Sequence, residues 1–393
     1  MSNLILAADS RTSVDQSPEV DELLALDAVV AFGVSGGKDS VAAALAGHEY
    51  LEKIGHQGPR VLVHSDLGRV EWRSSLAKCE ELARHLGYDL LVKKRQAGDL
   101  MDRWLVRWDR NVARYTDLSC VKLILPWSTP SMRFCTSELK THLINALLRS
   151  TYRGQHVINV TGIRAEESVN RARMPVAKPN PACASKGGIG FTWHPIKDWS
   201  VADVFAIIRR HGLTPHEAYT RYGMSRVSCV YCVMSSAADL RAATTCEDNH
   251  DVYREMVDLE IASTFAFQGQ GFLGDVAPDL LTQLQRDGLA RAKEAARVRQ
   301  DAEALIPEGL LYTKGWPTRM PTASEADLLA SIRRRVGDAV RVPVDHIDGP
   351  AVLRRFTELM AHRPTALDAV EDPLQQNSFN LPFNQPDLFL AVG

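Results

Sequence analysis

The run Ser35-Gly36-Gly37-Lys38-Asp39-Ser40 gathers the groups that hold an anion. Two glycines let backbone N–H groups come close to phosphate oxygens. Lys38 adds a point charge, and Ser35 and Ser40 add hydroxyl donors. The run lies between an apolar, β-branched stretch, Ala28 to Val34, and a stretch of helical spacing, Asp39 to Lys53. A strand, a glycine turn and a helix in that order aim a helix N-terminus at the bound anion. The loop is not a Walker A loop: Phe32 stands where that motif needs its first glycine, and Asp39 follows the lysine in place of serine or threonine. It also lacks the Gly-x-Gly-x-x-Gly of dinucleotide folds.

Further residues have chemistry of their own. Gly162 follows an apolar strand, His156 to Thr161, and open α/β sheets bind ligands at such strand ends. Arg164 then offers a planar fork to phosphate oxygens, with a surface ion pair as the alternative. Arg171 divides evenly between phosphate contact and salt bridge. Asp66 lies just after the second strand, at the same sheet edge, where it would orient ribose or Mg²⁺, or cap the helix from Val70. Cys229-x-x-Cys232 is a thiol pair able to share a metal. Reduced thiols packed near the nucleotide are the plainer reading of these cysteines. His194 and His216 read as core or helix-start histidines in preference to zinc ligands.

These residues need a scaffold. Ala28 to Val34, Arg60 to His64, Asp89 to Lys93 and His156 to Thr161 read as strands. Asp39 to Lys53, Val70 to Leu86, Leu100 to Arg114, Ser137 to Arg149 and Val201 to His211 read as helices between or after them. The alternation predicts an α/β fold: a parallel twisted sheet with flanking helices. Trp104 and Trp108 are four apart on one helix face and read as core. Pro175 to Gly190 reads as a loop. Beyond Ser236 the strand signal ends, and Asp279 to Ala304 and Ala323 to Val336 are helical. The expected division is an N-terminal arm over 1–27 with a short helix near Glu19 to Leu26, a nucleotide domain over 28–235, and a mainly helical region over 236–393 with an irregular tail, Gln375 to Gly393.

Bulk properties exclude several classes. Hydrophobic residues make up 45% and charged residues 24% of the 393, as in ordinary globular proteins. A net charge of −2 advertises no independent grip on nucleic acid. The basic runs Lys93-Lys94-Arg95 and Arg333-Arg334-Arg335 read as solvated element ends. No run of about 18 apolar residues predicts a membrane span, and the acidic N-terminus does not resemble a signal peptide. A cytoplasmic location follows as the expectation. The seven cysteines then read as thiols, nucleophiles or ligands, not disulfides.

Ser35 to Ser40 resembles the PP-loop of the ATP pyrophosphatases, the adenine nucleotide α-hydrolases. Arg133-Phe134-Cys135-Thr136-Ser137-Glu138-Leu139-Lys140, Thr161-Gly162-Ile163-Arg164-Ala165-Glu166-Glu167-Ser168, and the stretch from His194-Pro195-Ile196 to Cys232 together resemble the phosphoadenosine-phosphosulfate (PAPS) reductase family, over about residues 28–260. The resemblance implies ATP and Mg²⁺ as ligands and cleavage of ATP between the α- and β-phosphates. Ser35, Gly36, Gly37, Lys38, Asp39, Ser40, Asp66, Gly162, Arg164 and Arg171 would bind the nucleotide, with Lys38, Asp39 and Arg164 catalytic. It also implies a [4Fe–4S] cluster, more than zinc, on Cys135, Cys229 and Cys232 with Cys120, Cys246 or Cys183 as fourth ligand. Sulfonucleotide reductases of the family typically have a degraded PP-loop and a redox cysteine near the C-terminus. Here the loop is complete and no cysteine follows Cys246. The chain therefore looks more like the DndC and SspD proteins of DNA phosphorothioation. That likeness implies a cysteine desulfurase and other sulfur-transfer proteins as partners, DNA reached through a complex, and leaves room for a homodimer. Sulfonucleotide reduction, tRNA thiolation and ATP-binding regulation without turnover are the alternatives.

Overall fold

The computed structural model describes residues 11–269 and 271–362. The expected tail, Gln375 to Gly393, and the first ten residues of the arm lie outside them. The four apolar runs form β1 (Val29–Gly33), β2 (Arg60–Asp66), β3 (Asp89–Lys94) and β4 (Val157–Val160). Two further strands, β5 (Ala177–Pro179) and β6 (Gly190–Trp193), complete a six-stranded sheet of order β3-β2-β1-β4-β6-β5. Every pairing is parallel except β5 with β6. Pro175 to Gly190 is thus not wholly a loop. β5 escapes sequence reading because it is three residues long, mostly exposed, and ends in a proline, which only an edge strand accepts. The chain leaves β1 toward β2 on one side and returns to β4 on the other, so β1 and β4 flank the crevice where such sheets bind ligands.

Helices α1 (Pro18–Ala25), α2 (Lys38–Lys53), α3 (Ser74–Leu86), α4 (Leu100–Thr116), α5 (His142–Thr151) and α6 (Val201–Arg210) accompany the strands. Alternation along β1 divides its side chains between two cores. Val30 and Phe32 pack with the alanines of α2 and with Val204, Ile207 and Ile208 of α6. Val29 and Ala31 pack with Val157, Leu148 and Cys183 on the opposite face. α3 starts at Ser74, later than the periodicity suggests, because Gly68–Val70 forms a separate tight turn. Gly68 has φ +73° there, and a Cβ would lie 2.3 Å from Asp99 Cβ.

The chain divides into two compact units, and the division differs from a cut after residue 235. One unit comprises the residues up to Asp102 together with Ser128–Tyr253, and holds the sheet. The other comprises Arg103–Trp127 and the residues from Arg254 on. The described part of the arm belongs to the first unit: Trp193 Nε1 donates to Asp15 O at 2.8 Å and Trp199 Nε1 to Ser13 O at 3.0 Å.

The second unit is built from most of α4, from α8 (His250–Ser263) after the short α7 (Ala237–Thr244) of the first unit, and from α9 (Gln283–Glu303), α10 (Ala323–Val340) and α11 (Gly349–Ala361). Trp104 is core as expected, with its ring 5.3 Å from Trp127, and Trp127 lies 5.2 Å from Phe267. These aromatic contacts tie Arg103–Trp127 to the second unit. Arg333 is not a solvated helix end but fully buried. Its guanidinium stacks 4.7 Å over Tyr115 and donates to Thr116 O at 3.0 Å and Asp345 O at 3.1 Å. Among the described residues, no helix is long and apolar enough to cross a membrane.

Candidate functional site

The loop over residues 35–40 is shaped by close packing. Gly36 has φ +72°, a conformation costly for any residue with a side chain, and a Cβ there would also crowd Ser75 O at 3.1 Å. Gly37 is the N-cap of α2 and brings no side-chain cap. Ser40 closes the loop: its hydroxyl donates to Gly37 O at 2.9 Å and accepts the Ser35 N–H at 3.3 Å. Gly162, just past the end of β4, packs against the loop more closely than Gly36 does against Ser75. A Cβ there would stand 2.4 Å from Asp39 O and 2.7 Å from Ser40 N. Its role is to let the loop lie against the neighbouring strand end.

Charge is concentrated on Asp39. Lys38 Nζ donates to Asp39 Oδ2 at 3.0 Å, and Arg164 Nε donates to Asp39 Oδ1 at 2.6 Å. Arg164 is not the surface ion-pair partner that the plainer reading made it: its side chain is 3% exposed. Nη1 also donates to Glu166 at 2.8 Å and to Trp199 O at 3.3 Å. Burial works against its charge, but the Asp39 carboxylate outweighs that and raises the guanidinium pKa above its ordinary value. Lys38 is buried as well, with Nζ 3.4 Å from Ser225 O and 5.4 Å above the Tyr219 ring.

Asp66 and Arg171, also expected at the nucleotide, and the two histidines are each held by a neighbour. Asp66 Oδ1 accepts the Gly68 N–H at 2.7 Å and so caps the Gly68–Val70 turn. Arg171 is ion-paired with Glu167. His216 Nδ1 accepts the Ala218 N–H at 3.0 Å and starts the short helix Glu217–Thr220. His194 Nδ1 lies 2.7 Å from Thr161 Oγ1. Burial lowers the pKa of both histidines to about 4, so both are neutral.

Three contributors have no one-dimensional signal. Tyr219 Oη accepts the N–H groups of Lys38 and Val227, each at 3.1 Å. Ser225 is fixed by Asp239, which accepts its N–H and its hydroxyl, each at 2.7 Å. His64, buried at the end of β2, donates through Nδ1 to Val34 O at 3.0 Å and has Nε2 3.4 Å from Glu71. The carbonyl accepts, so Nδ1 carries a proton, while Nε2 makes no hydrogen bond and faces the Glu71 carboxylate only as the cation of an ion pair. Burial opposes that charge, but the contacts with Cys79 and Glu71 prevail and raise the pKa to about 10. The ring thereby fixes the carbonyl that precedes the phosphate loop.

Cys135, Cys229 and Cys232 share one neighbourhood. Burial pushes the Cys229 thiol well above the usual range; Lys140 opposes this, and Cys232 and Cys135 add to it. Within the first unit, no fourth thiol among the described residues completes a ligand set with them. Cys120 belongs to the second unit, and the charges around it are Arg114, Arg333, Asp117 and Glu303. Cys183 donates to Asn180 O at 3.1 Å, and Cys246 lies against the Tyr222 phenol. Among the described residues, no group of three or more His, Cys, Asp or Glu side chains is arranged to hold a metal ion. The thiols have the soft donor chemistry of a cluster site without its closed geometry.

Residues 29–235 match the family model of the phosphoadenosine phosphosulfate reductase domain. The chain belongs to that family. The match spans the sheet from β1 and runs three residues past Cys232, so the phosphate loop, Gly162, Arg164 and the three clustered thiols all lie within the family domain. The chain is also similar to an uncharacterised 37.8 kDa protein in the gpa 5′ region of Escherichia phage 186, at 27% identity over 53% of this chain and 67% of the relative. Among solved structures, it is similar to phosphoadenylyl-sulfate (PAPS) reductase from Candida auris in a phosphate complex, at 15% identity and TM-score 0.33, over 55% of this chain and 97% of that one. It is also similar to the U34-tRNA thiolase NcsA from Methanococcus maripaludis with its [4Fe–4S] cluster, at 13% identity and TM-score 0.33, over 71% and 77%.

Proposed function

We propose that this PAPS reductase-family chain is an ATP pyrophosphatase that adenylates an acceptor oxygen ahead of sulfur transfer. One observation supports it above the others: Lys38, Asp39 and Arg164 converge on the N-terminus of α2, whose N-cap Gly37 has no side chain to cap it, at the switch point of the sheet. That is the place and the chemistry of a polyphosphate site. The loop N–H groups and Lys38 would bind the β- and γ-phosphates, and Arg164 would meet the α-phosphate. An acceptor oxygen attacks the α-phosphorus, the α–β bridging bond breaks, and pyrophosphate leaves. AMP on the acceptor is then a leaving group for a sulfur nucleophile. Asp39 and Asp66 are hard oxygen donors of the type Mg²⁺ takes, and Mg²⁺ when bound would neutralise phosphate charge. No step is assigned to an iron–sulfur cluster, since the thiols do not form a closed ligand set.

For the acceptor, we propose a phosphodiester oxygen of DNA, in phosphorothioate modification, with sulfur supplied by a cysteine desulfurase. The complete phosphate loop favours this over sulfonucleotide reduction, whose substrate already carries its adenylate. The test is product analysis of anaerobically purified protein with ATP and Mg²⁺. AMP and pyrophosphate are expected, abolished by Lys38→Ala; ADP and phosphate would sink the proposal. Stimulation by tRNA and not by DNA would move the acceptor to RNA. Binding of ATP without turnover would make the chain a regulator.

A further inference from the structure

Tyr219 lies within the stretch His194 to Cys232 and belongs to no phosphate motif, yet its phenol oxygen joins two parts of the site. It accepts the N–H of Lys38, the first residue of α2, and the N–H of Val227, two residues before Cys229. Both lone pairs of the oxygen are thereby used. A second link runs beside the first, from Lys38 Nζ to Ser225 O at 3.4 Å. A third is steric: a Cβ on Gly37 would touch Val227 at 3.5 Å. The far end of the same segment is anchored by Val230 N–H on Val70 O at 2.8 Å. The ring of Tyr219 is itself held edge-on by Phe205, with centroids 5.8 Å apart. The segment that carries Cys229 and Cys232 is thus fastened to the phosphate loop chiefly through Lys38, by its amide and its ammonium.

Both groups of Lys38 are donors that a phosphate would claim. Hydrogen bonds to an ionised acceptor are about twice as strong as those to a neutral phenol or carbonyl. A nucleotide reaching α2 therefore competes with Tyr219 for the amide and with Ser225 for the ammonium. Every such change is felt by residues 225–227, and the cysteines follow directly in the chain. We propose that Tyr219 is a positioning residue that transmits occupancy of the phosphate loop to the Cys229–Cys232 segment. This rests on the nucleotide reading of the loop and goes beyond it. It makes the arrangement of the thiols depend on whether the loop is filled.

Hydrogen exchange measured by mass spectrometry on the full chain tests this, with wild type and Tyr219→Phe compared. The variant keeps the ring packing on Phe205 and loses only the hydroxyl; a thermal melt confirms folding. Without nucleotide, Tyr219→Phe should speed exchange about fivefold in peptides covering both 38–41 and 225–230, the effect of one lost hydrogen bond at each amide. Unchanged exchange in either peptide overturns the link. With α,β-methylene-ATP and Mg²⁺, the wild type should respond in the 33–46 and 222–232 peptides. The variant should respond in 33–46 alone. A response in 222–232 that survives in Tyr219→Phe, or is absent from wild type while 33–46 responds, overturns the transmission. No response in 33–46 of the wild type instead removes the nucleotide reading, and the transmission with it.

Discussion

Arg164 and Asp39, 125 positions apart in the chain, are joined by a 2.6 Å hydrogen bond between Nε and Oδ1. The other carboxylate oxygen is held by Lys38. Asp39 thus keeps two buried cations at the mouth of the phosphate loop, where each would otherwise repel the other. Removing Arg164 breaks a buried pair, which costs about 3–5 kcal/mol. Arg164→Ala should therefore lower thermal stability and also reduce pyrophosphate release about 10²–10³-fold. Lys38→Ala should show a similar loss of release. Turnover of Arg164→Ala close to wild type in a pyrophosphate-coupled assay would remove Arg164 from the mechanism.

Gly162→Ala addresses shape instead of charge. The added methyl would meet backbone at 2.4 Å, and backbone cannot swing away as a side chain does. The loop must move, so nucleotide affinity should fall by at least tenfold, with an overpacking penalty of about 1–3 kcal/mol. Calorimetric titration with a non-hydrolysable ATP analogue checks this. Unchanged affinity would mean that the loop does not need β4 at this distance.

Buried titrating groups give the two units opposite responses to acid. His194 and His216 have folded values near 4 against an ordinary 6.5. Between those values the unfolded chain binds protons that the folded chain refuses. Stability of the sheet unit is therefore full above about pH 6.5 and lost as pH falls toward 4, by about 3 kcal/mol for each histidine.

Glu260 in the second unit acts in the other direction. Burial raises its pKa from 4.5 to about 7, although the N–H groups of Leu273, Gly274 and Phe267 pull it down. Its contribution is full below about pH 4.5 and lost as pH rises through 7, again by about 3 kcal/mol. Denaturant melts from pH 4.5 to 7 should show His216→Gln flattening the acid loss and Glu260→Gln flattening the gain. Parallel pH profiles for wild type and both variants would contradict the assignment.

Thiol accessibility gives a fourth expectation. Cys135 and Cys232 are partly exposed, while Cys79, Cys120, Cys183, Cys229 and Cys246 are buried. Brief treatment of the reduced native protein with iodoacetamide should label Cys135 and Cys232 first. The other five should react only after denaturation. Equal early labelling of Cys229 and Cys232 would show that the segment opens readily.

Much of the site is legible in one dimension because it is local. A strand, two glycines, a lysine and a helix start are contiguous, and their chemistry follows from their order. The same holds for β1 to β4, whose apolar runs are short and bounded. β5 and β6 were not legible, since three or four residues that owe their strand form to a neighbour carry too little pattern. Nor was the second unit's claim on Arg103–Trp127, which follows from Trp104 and Trp127 meeting Phe267 far along the chain.

The family and the parallel sheet were therefore determined by sequence alone. Only the tertiary structure decided that Arg164 is buried on Asp39 and that Asp66 and Arg171 are tied to neighbours. Only it showed that Tyr219 and His64 hold the loop from outside. The physical reason is the same in each case. A motif records which groups are adjacent along the chain, while burial, ion pairing and the pKa values they set depend on what the fold brings from elsewhere.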